Sequence, residues 1–102
     1  MIDFKEINCA ALALAGPVAV RFAPGGRVFA HEYVALNPRR PDRRIGSFRL
    51  NMKTGRWADF ATGDRGGDLV SYAAYCADIS QSEAARLVAS LVGVKIGGLV
   101  NG

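Results

Sequence analysis

Histidine and cysteine are scarce in this chain, one and two residues respectively in 102. Cys9 and Cys76 lie far apart, each among alanines or aromatics. Free cysteines in such settings pack as small apolar side chains, and nothing resembles the paired spacing of a secreted disulfide framework. With so few candidates, no nucleophile, base and orienting acid fall into an arrangement for catalysis. His31 and Glu32 are strand neighbours and point to opposite faces, so they do not cooperate, and His31 reads as structural or exposed. The phosphate-binding lysine is missing too, because GDRGGD (63–68) has neither the residue nor the spacing of a P-loop. Asp64 and Asp68 are a weak magnesium signal, since such sites lean on substrate phosphates, and Asp68 fits better as a helix N-cap. Long hydrophobic runs are also lacking. The apolar stretch in MIDFKEINCAALALAG follows acids and is too short to span a bilayer. These absences predict a cytosolic protein with no membrane partner, no cofactor, no metal and no catalysis of its own.

Arginine, by contrast, is concentrated. The formal charge is +4, and its whole excess falls in residues 39–65, where eight cations meet Asp42, Asp59 and Asp64. Such segregation suits an anionic partner, nucleic acid first and an acidic protein surface second, against the plainer role of a solvated, solubilising loop. Half of the residues are hydrophobic, enough for the core of one small domain over residues 1–102.

The spacing of Phe4, Ile7, Ala11 and Leu14 predicts a helix over 3–15 ended by Gly16-Pro17. VAVRFA (18–23) reads as a strand, Pro24-Gly25-Gly26 as a turn, and RVFAHEYVAL (27–36) as the strand that returns. NPRRPDRRIG (37–46), with two prolines and four arginines, reads as a flexible loop. Phe48, Leu50 and Met52 alternate with Ser47, Arg49 and Asn51, so Arg49 should face away from the core. Gly55 supplies a hairpin turn, and residues 56–61 return. From Asp68 the pattern becomes helical through Leu69, Val70, Ala73 and Cys76. Ser80 and Glu83 form a capping box ahead of Ala84, Leu87, Val88 and Leu91, with Gly93 as the stop. The tail 93–102 shows no periodicity and is expected to be loose. The reading is α+β: two antiparallel hairpins in a small sheet, with one N-terminal and two C-terminal helices on one face.

The stretch GSFRLNMKTGRWADFATGDRGGDL (46–69) resembles the N-terminal zinc-ribbon domain of bacterial and phage-type DNA primases, in a form without the zinc ligands. Ser47-Phe48 fits the ribbon's Ser-Phe strand, Asp59 to Gly63 fall at its Cys-Phe-Gly-Cys-Gly knuckle, and Gly66-Gly67-Asp68 fall at its Gly-Asp helix start. Asn37-Pro38 lies about where the first Cys-Pro would. The likeness covers roughly residues 27–92. Zinc takes about four ligands, usually paired cysteines, whereas Asn37, Pro41, Asp59 and Thr62 stand near those positions. A ribbon without metal needs another source of folding energy. Hydrogen bonds from the amides of loop 63–67 to Asp59 are expected to supply it, with Trp57 and Phe60 enlarging the core.

The resemblance implies a non-catalytic module of a phage or mobile-element replication system that contacts single-stranded DNA, or RNA, and works beside a primase or helicase. Arg39, Arg40, Arg43 and Arg44 in the loop, Arg49, Lys53 and Arg56 around the second hairpin, and Arg65 at the helix start are the candidate phosphate contacts. Trp57 is either a base-stacking platform or a core anchor. The alternative is a small accessory or inhibitory phage protein that uses the same basic face on an acidic protein.

Overall fold

The computed structural model describes residues 1–96, and they form an α+β fold. Helices α1 (Phe4–Ala13) and α2 (Ala15–Phe22) come first. Five strands follow: β1 (Arg27–Phe29), β2 (Glu32–Ala35), β3 (Phe48–Asn51), β4 (Trp57–Asp59) and β5 (Arg65–Gly66). Helices α3 (Leu69–Ala77) and α4 (Gln81–Val92) close the described chain. The sheet is an antiparallel meander in the order β1-β2-β3-β4-β5.

Two readings of the N-terminal third are corrected. VAVRFA is helical, and Gly16-Pro17 begins that helix instead of ending the previous one. Pro17 falls in the first turn of α2, where a missing N–H costs nothing because it would have no helical partner. Val18, Ala19 and Phe22 then bury one face of α2, so packing overrides the strand preference of the valines. The residues read as a single returning strand, 27–36, fold instead into the β1–β2 hairpin, with Phe29 opposite Glu32. The turn is Ala30-His31, and Ala30 holds a left-handed φ of 56° with no glycine to signal it. His31 is therefore an exposed turn residue.

Alternation then sorts the sheet into two faces. Tyr33, Leu50 and Trp57 lie side by side in register on the inner face, and Phe48 sits opposite Ala35 on the same side. The Phe48 ring stacks on Tyr72 at 5.8 Å and meets Trp57 edge-on at 6.1 Å. These rings join Ile7, Ala11, Val18, Leu69, Val70, Ala84 and Val88 in one core between sheet and helices. Cys76 is buried there, which pushes its thiol up to about 12 and keeps it protonated. Cys9, expected to be packed, is exposed.

The helix ends follow their local signals. Asp3 accepts from the Glu6 amide (3.0 Å) and Asp68 from the Ser71 amide (2.8 Å). Ser80 and Glu83 close a reciprocal capping box. The side chain of Asn8, on α1, accepts from the Val70 amide at 2.9 Å and so caps α3 from a distance of 62 residues. Of the tail expected to be loose, Gly93 caps α4 and the Val94 amide donates to Ala89, while residues 97–102 lie outside the described residues.

Gly66 is where β5 touches the core. A Cβ there would run into the Trp57 indole and the Ser71 hydroxyl, which are hydrogen-bonded to each other at 2.8 Å. Gly66→Ala is therefore expected to lower stability by about 1–3 kcal/mol, read as a fall in the chemical-denaturation midpoint. An unchanged midpoint would mean that β5 is not seated against Trp57.

Candidate nucleic-acid interface

The loop of residues 37–46, expected to be flexible, is tied down by a buried polar cluster. Asn37 and Asp59 are both buried. The Asn37 amide nitrogen donates to Asp59 Oδ2 (2.7 Å) and to the Tyr75 hydroxyl (2.8 Å), while its oxygen accepts from the Arg39 amide (2.7 Å). The Asn37 backbone amide donates to Asp42 Oδ2 at 2.8 Å. Asp59 also accepts from Arg40 Nε (3.0 Å), Arg40 Nη2 (3.3 Å) and the amides of Ala61 (2.8 Å) and Thr62 (3.3 Å). The amides that reach the Asp59 carboxylate are thus Ala61 and Thr62, not those of loop 63–67 as expected. Tyr75 extends the cluster by donating to Asp64 at 2.7 Å.

This cluster decides what several arginines can do. Arg40 is committed to Asp59 and Asp42, a structural position that corrects its expected role as a free phosphate contact. Arg39 lies 5.2 Å from the Tyr75 ring centroid and pairs with Asp78 at 3.4 Å across exposed surface. Arg43 and Arg44 are exposed in the same loop.

Of the two roles expected of Trp57, the structure shows the core anchor. It is 6% exposed, its indole N–H donates to Ser71, and Tyr75 packs on it at 4.6 Å, so its ring is not open to a base. Phe60, expected in the core, is 74% exposed. Trp57 lies opposite Leu50 on the inner face, whereas Phe60 follows the last residue of β4 and opens the turn on the outer side.

The outer face of the sheet is where cations gather. Register puts Val34, Arg49, Ala58 and Arg65 in one row across four strands, with Arg27 opposite Val34 at the β1 end. Arg56 lies one step away, its carbonyl accepting from the Asn51 amide. Arg49, Arg56, Arg65 and Phe60 share a hollow of about 320 Å3, with the small Ala58 among its walls and Glu32 as its one acid. Arg49 is partly neutralised, since it donates to Glu32 (3.0 Å) and to the Gly46 carbonyl (2.7 Å). Arg56 and Arg65 have no side-chain partner among the described residues. Lys53 lies exposed in the β3–β4 turn, outside this hollow.

Comparison with protein-family models, curated proteins and solved structures returns no match to this chain. Its chemistry rests on the geometry alone. Among the described residues no His, Cys, Asp or Glu cluster is built to hold a metal ion, and no helix is long and apolar enough to cross a membrane. Two features of the interface escaped the sequence reading. The exposed Phe60 was legible from its alternation with Asp59. The place of Arg27 beside Val34 depends on the unsuspected turn at Ala30.

Burial pushes the Asp59 carboxyl up, but the hydrogen bonds from Arg40, Asn37 and the Ala61 amide outweigh it and hold the group below its ordinary 3.8. Its contribution to stability is therefore complete above the unfolded-state value and is lost as pH falls through the lower folded-state value. Asp59→Ala is expected to cost about 2–4 kcal/mol near neutral pH. Denaturation curves from about pH 6 to about pH 2 should show wild type losing more stability than the variant as this carboxylate protonates. Parallel losses would show that the carboxylate does not anchor the loop.

Proposed function

We propose that this chain is a nucleic-acid-binding module without catalysis of its own, which holds a single strand of DNA or RNA against the outer face of its sheet. The observation that carries the reading is the shared hollow in which Arg49, Arg56 and Arg65 surround the small Ala58 beside the exposed ring of Phe60. Guanidiniums pair with phosphates bidentately, and an exposed aromatic beside them gives an unpaired base a surface to stack on. Nothing in the hollow resembles a recognition helix, so binding is sequence-tolerant.

The likeness of residues 46–69 to a primase ribbon supports placing the module in the cytosol, in a phage or mobile-element replication system, beside a primase or helicase. In that reading the Asn37–Asp59–Arg40 cluster does the work of the lost metal. Asn37 and Asp59 stand near the ribbon's ligand positions and bond to each other at 2.7 Å.

Anisotropy of a labelled oligothymidine, titrated at about 50 and about 200 mM salt, tests the proposal. Three or four engaged cations give a log–log salt slope near −2 to −3, at about 0.7 per phosphate on a single strand. Arg56→Glu combined with Arg65→Glu is expected to weaken binding at least about tenfold with little change in thermal midpoint, since both side chains are exposed. Phe60→Ala should cost about 1–3 kcal/mol of binding, and Arg86→Glu, on α4, should cost nothing. Absence of binding at low salt would overturn the reading and leave an acidic protein as the partner to test.

A further inference from the structure

The hollow on the outer face does not end at the sheet edge. β5 is only two residues long, and Arg65 lines both the outer hollow and a second one, of about 350 Å3, between β5 and α3. That second hollow is bordered by Arg39, Ser71, Tyr75 and Asp78. Three guanidiniums thus lie on one side of the β5 edge and a fourth beyond it, with Arg65 at the rim.

We propose that a bound single strand crosses the β5 edge at Arg65 and continues into this second hollow, where Arg39 takes a further phosphate. The inference rests on the sheet-face reading above and lengthens its footprint. Charge supports this occupant, because along the path Arg49, Arg56, Arg65 and Arg39 oppose Glu32 and Asp78. Shape selects a single strand over a duplex. The path bends around a strand edge within one small domain, whereas duplex DNA stays stiff over about 150 base pairs.

Arg39 is ready for such an exchange of partners. Its ion pair with Asp78 spans 3.4 Å between side chains that are 38% and 75% exposed, and pairs of this kind hold weakly in water. Tyr75 supports the guanidinium from below, so a phosphate that displaces Asp78 finds it already positioned. Asp78 is then an acid that competes with the ligand.

Oligothymidines of about four and about ten nucleotides, titrated against the full chain, separate the two sites. The longer one is expected to bind tighter. Arg39→Gln should weaken the longer one by roughly threefold or more and reduce its salt slope by about 0.7, with the shorter one unaffected. Asp78→Asn leaves Arg39 in place, so it stands whether or not the Arg39 variant folds well. It should tighten the longer oligonucleotide alone. Arg65→Gln should weaken both. Length-independent affinity, or indifference of the longer oligonucleotide to the Asp78 change, overturns the crossing while leaving the sheet-face site intact. A blunt duplex that binds as tightly as the single strand also overturns it. Failure of either oligonucleotide to bind overturns the sheet-face site, and the crossing with it.

Discussion

The carboxylate of Asp59 is the constraint on which the arrangement turns. It is fully buried, and a buried charge persists when hydrogen bonds and an opposite charge surround it. Those bonds come from two stretches of chain, the arginine loop through Asn37 and Arg40 and the β4–β5 turn through Ala61 and Thr62, and Asn37 in turn donates to the Tyr75 hydroxyl of α3. One side chain thereby ties the arginine loop and the β4–β5 turn to the end of β4. A composition of two prolines and four arginines, which by itself favours no regular element, acquires a defined shape from it.

The same cluster divides the arginines by role. Arg40 is consumed by carboxylates and Arg39 rests on Tyr75. Arg49 is half-engaged with Glu32, while Arg56 and Arg65, on the outer sheet face, have no side-chain partner among the described residues. Net charge did not indicate this division, because the cations of residues 39–65 count equally in the sum. Local charge in the outer hollow is set by which acids lie within reach, and there Glu32 faces three guanidiniums. Val34 is buried on that face although it lies outside the core cluster, so part of the outer face is covered by its own side chains.

How far the sequence reaches depends on how local the deciding interaction is. The capping box at Ser80, the N-cap at Asp68 and the Gly55 turn involve residues two to four apart, and all were legible. The outward face of Arg49 followed from alternation alone. The helix α2 was not, because Val18, Val20 and Phe22 favour strands in isolation and only burial against distant Tyr72 and its neighbours reverses that. The turn at Ala30 has no glycine. The inward turn of Arg40 needs Asp59, nineteen residues on, and no pattern in the loop marks it. Parity across the hairpin carried the answer for Trp57, which is in step with Leu50 and buried; Phe60 lies one residue past the end of β4.

The order of the sheet has a kinetic consequence. Every strand pairs with its neighbour in sequence, so three of the hairpins close over short turns, while β2 and β3 are joined through the longer arginine loop of residues 36–47; such local pairing speeds folding. The contact between Asn8 and Val70, 62 residues apart, requires a much longer closure. Docking of the N-terminal helices therefore closes far longer loops than any of the hairpins and carries the larger entropic cost.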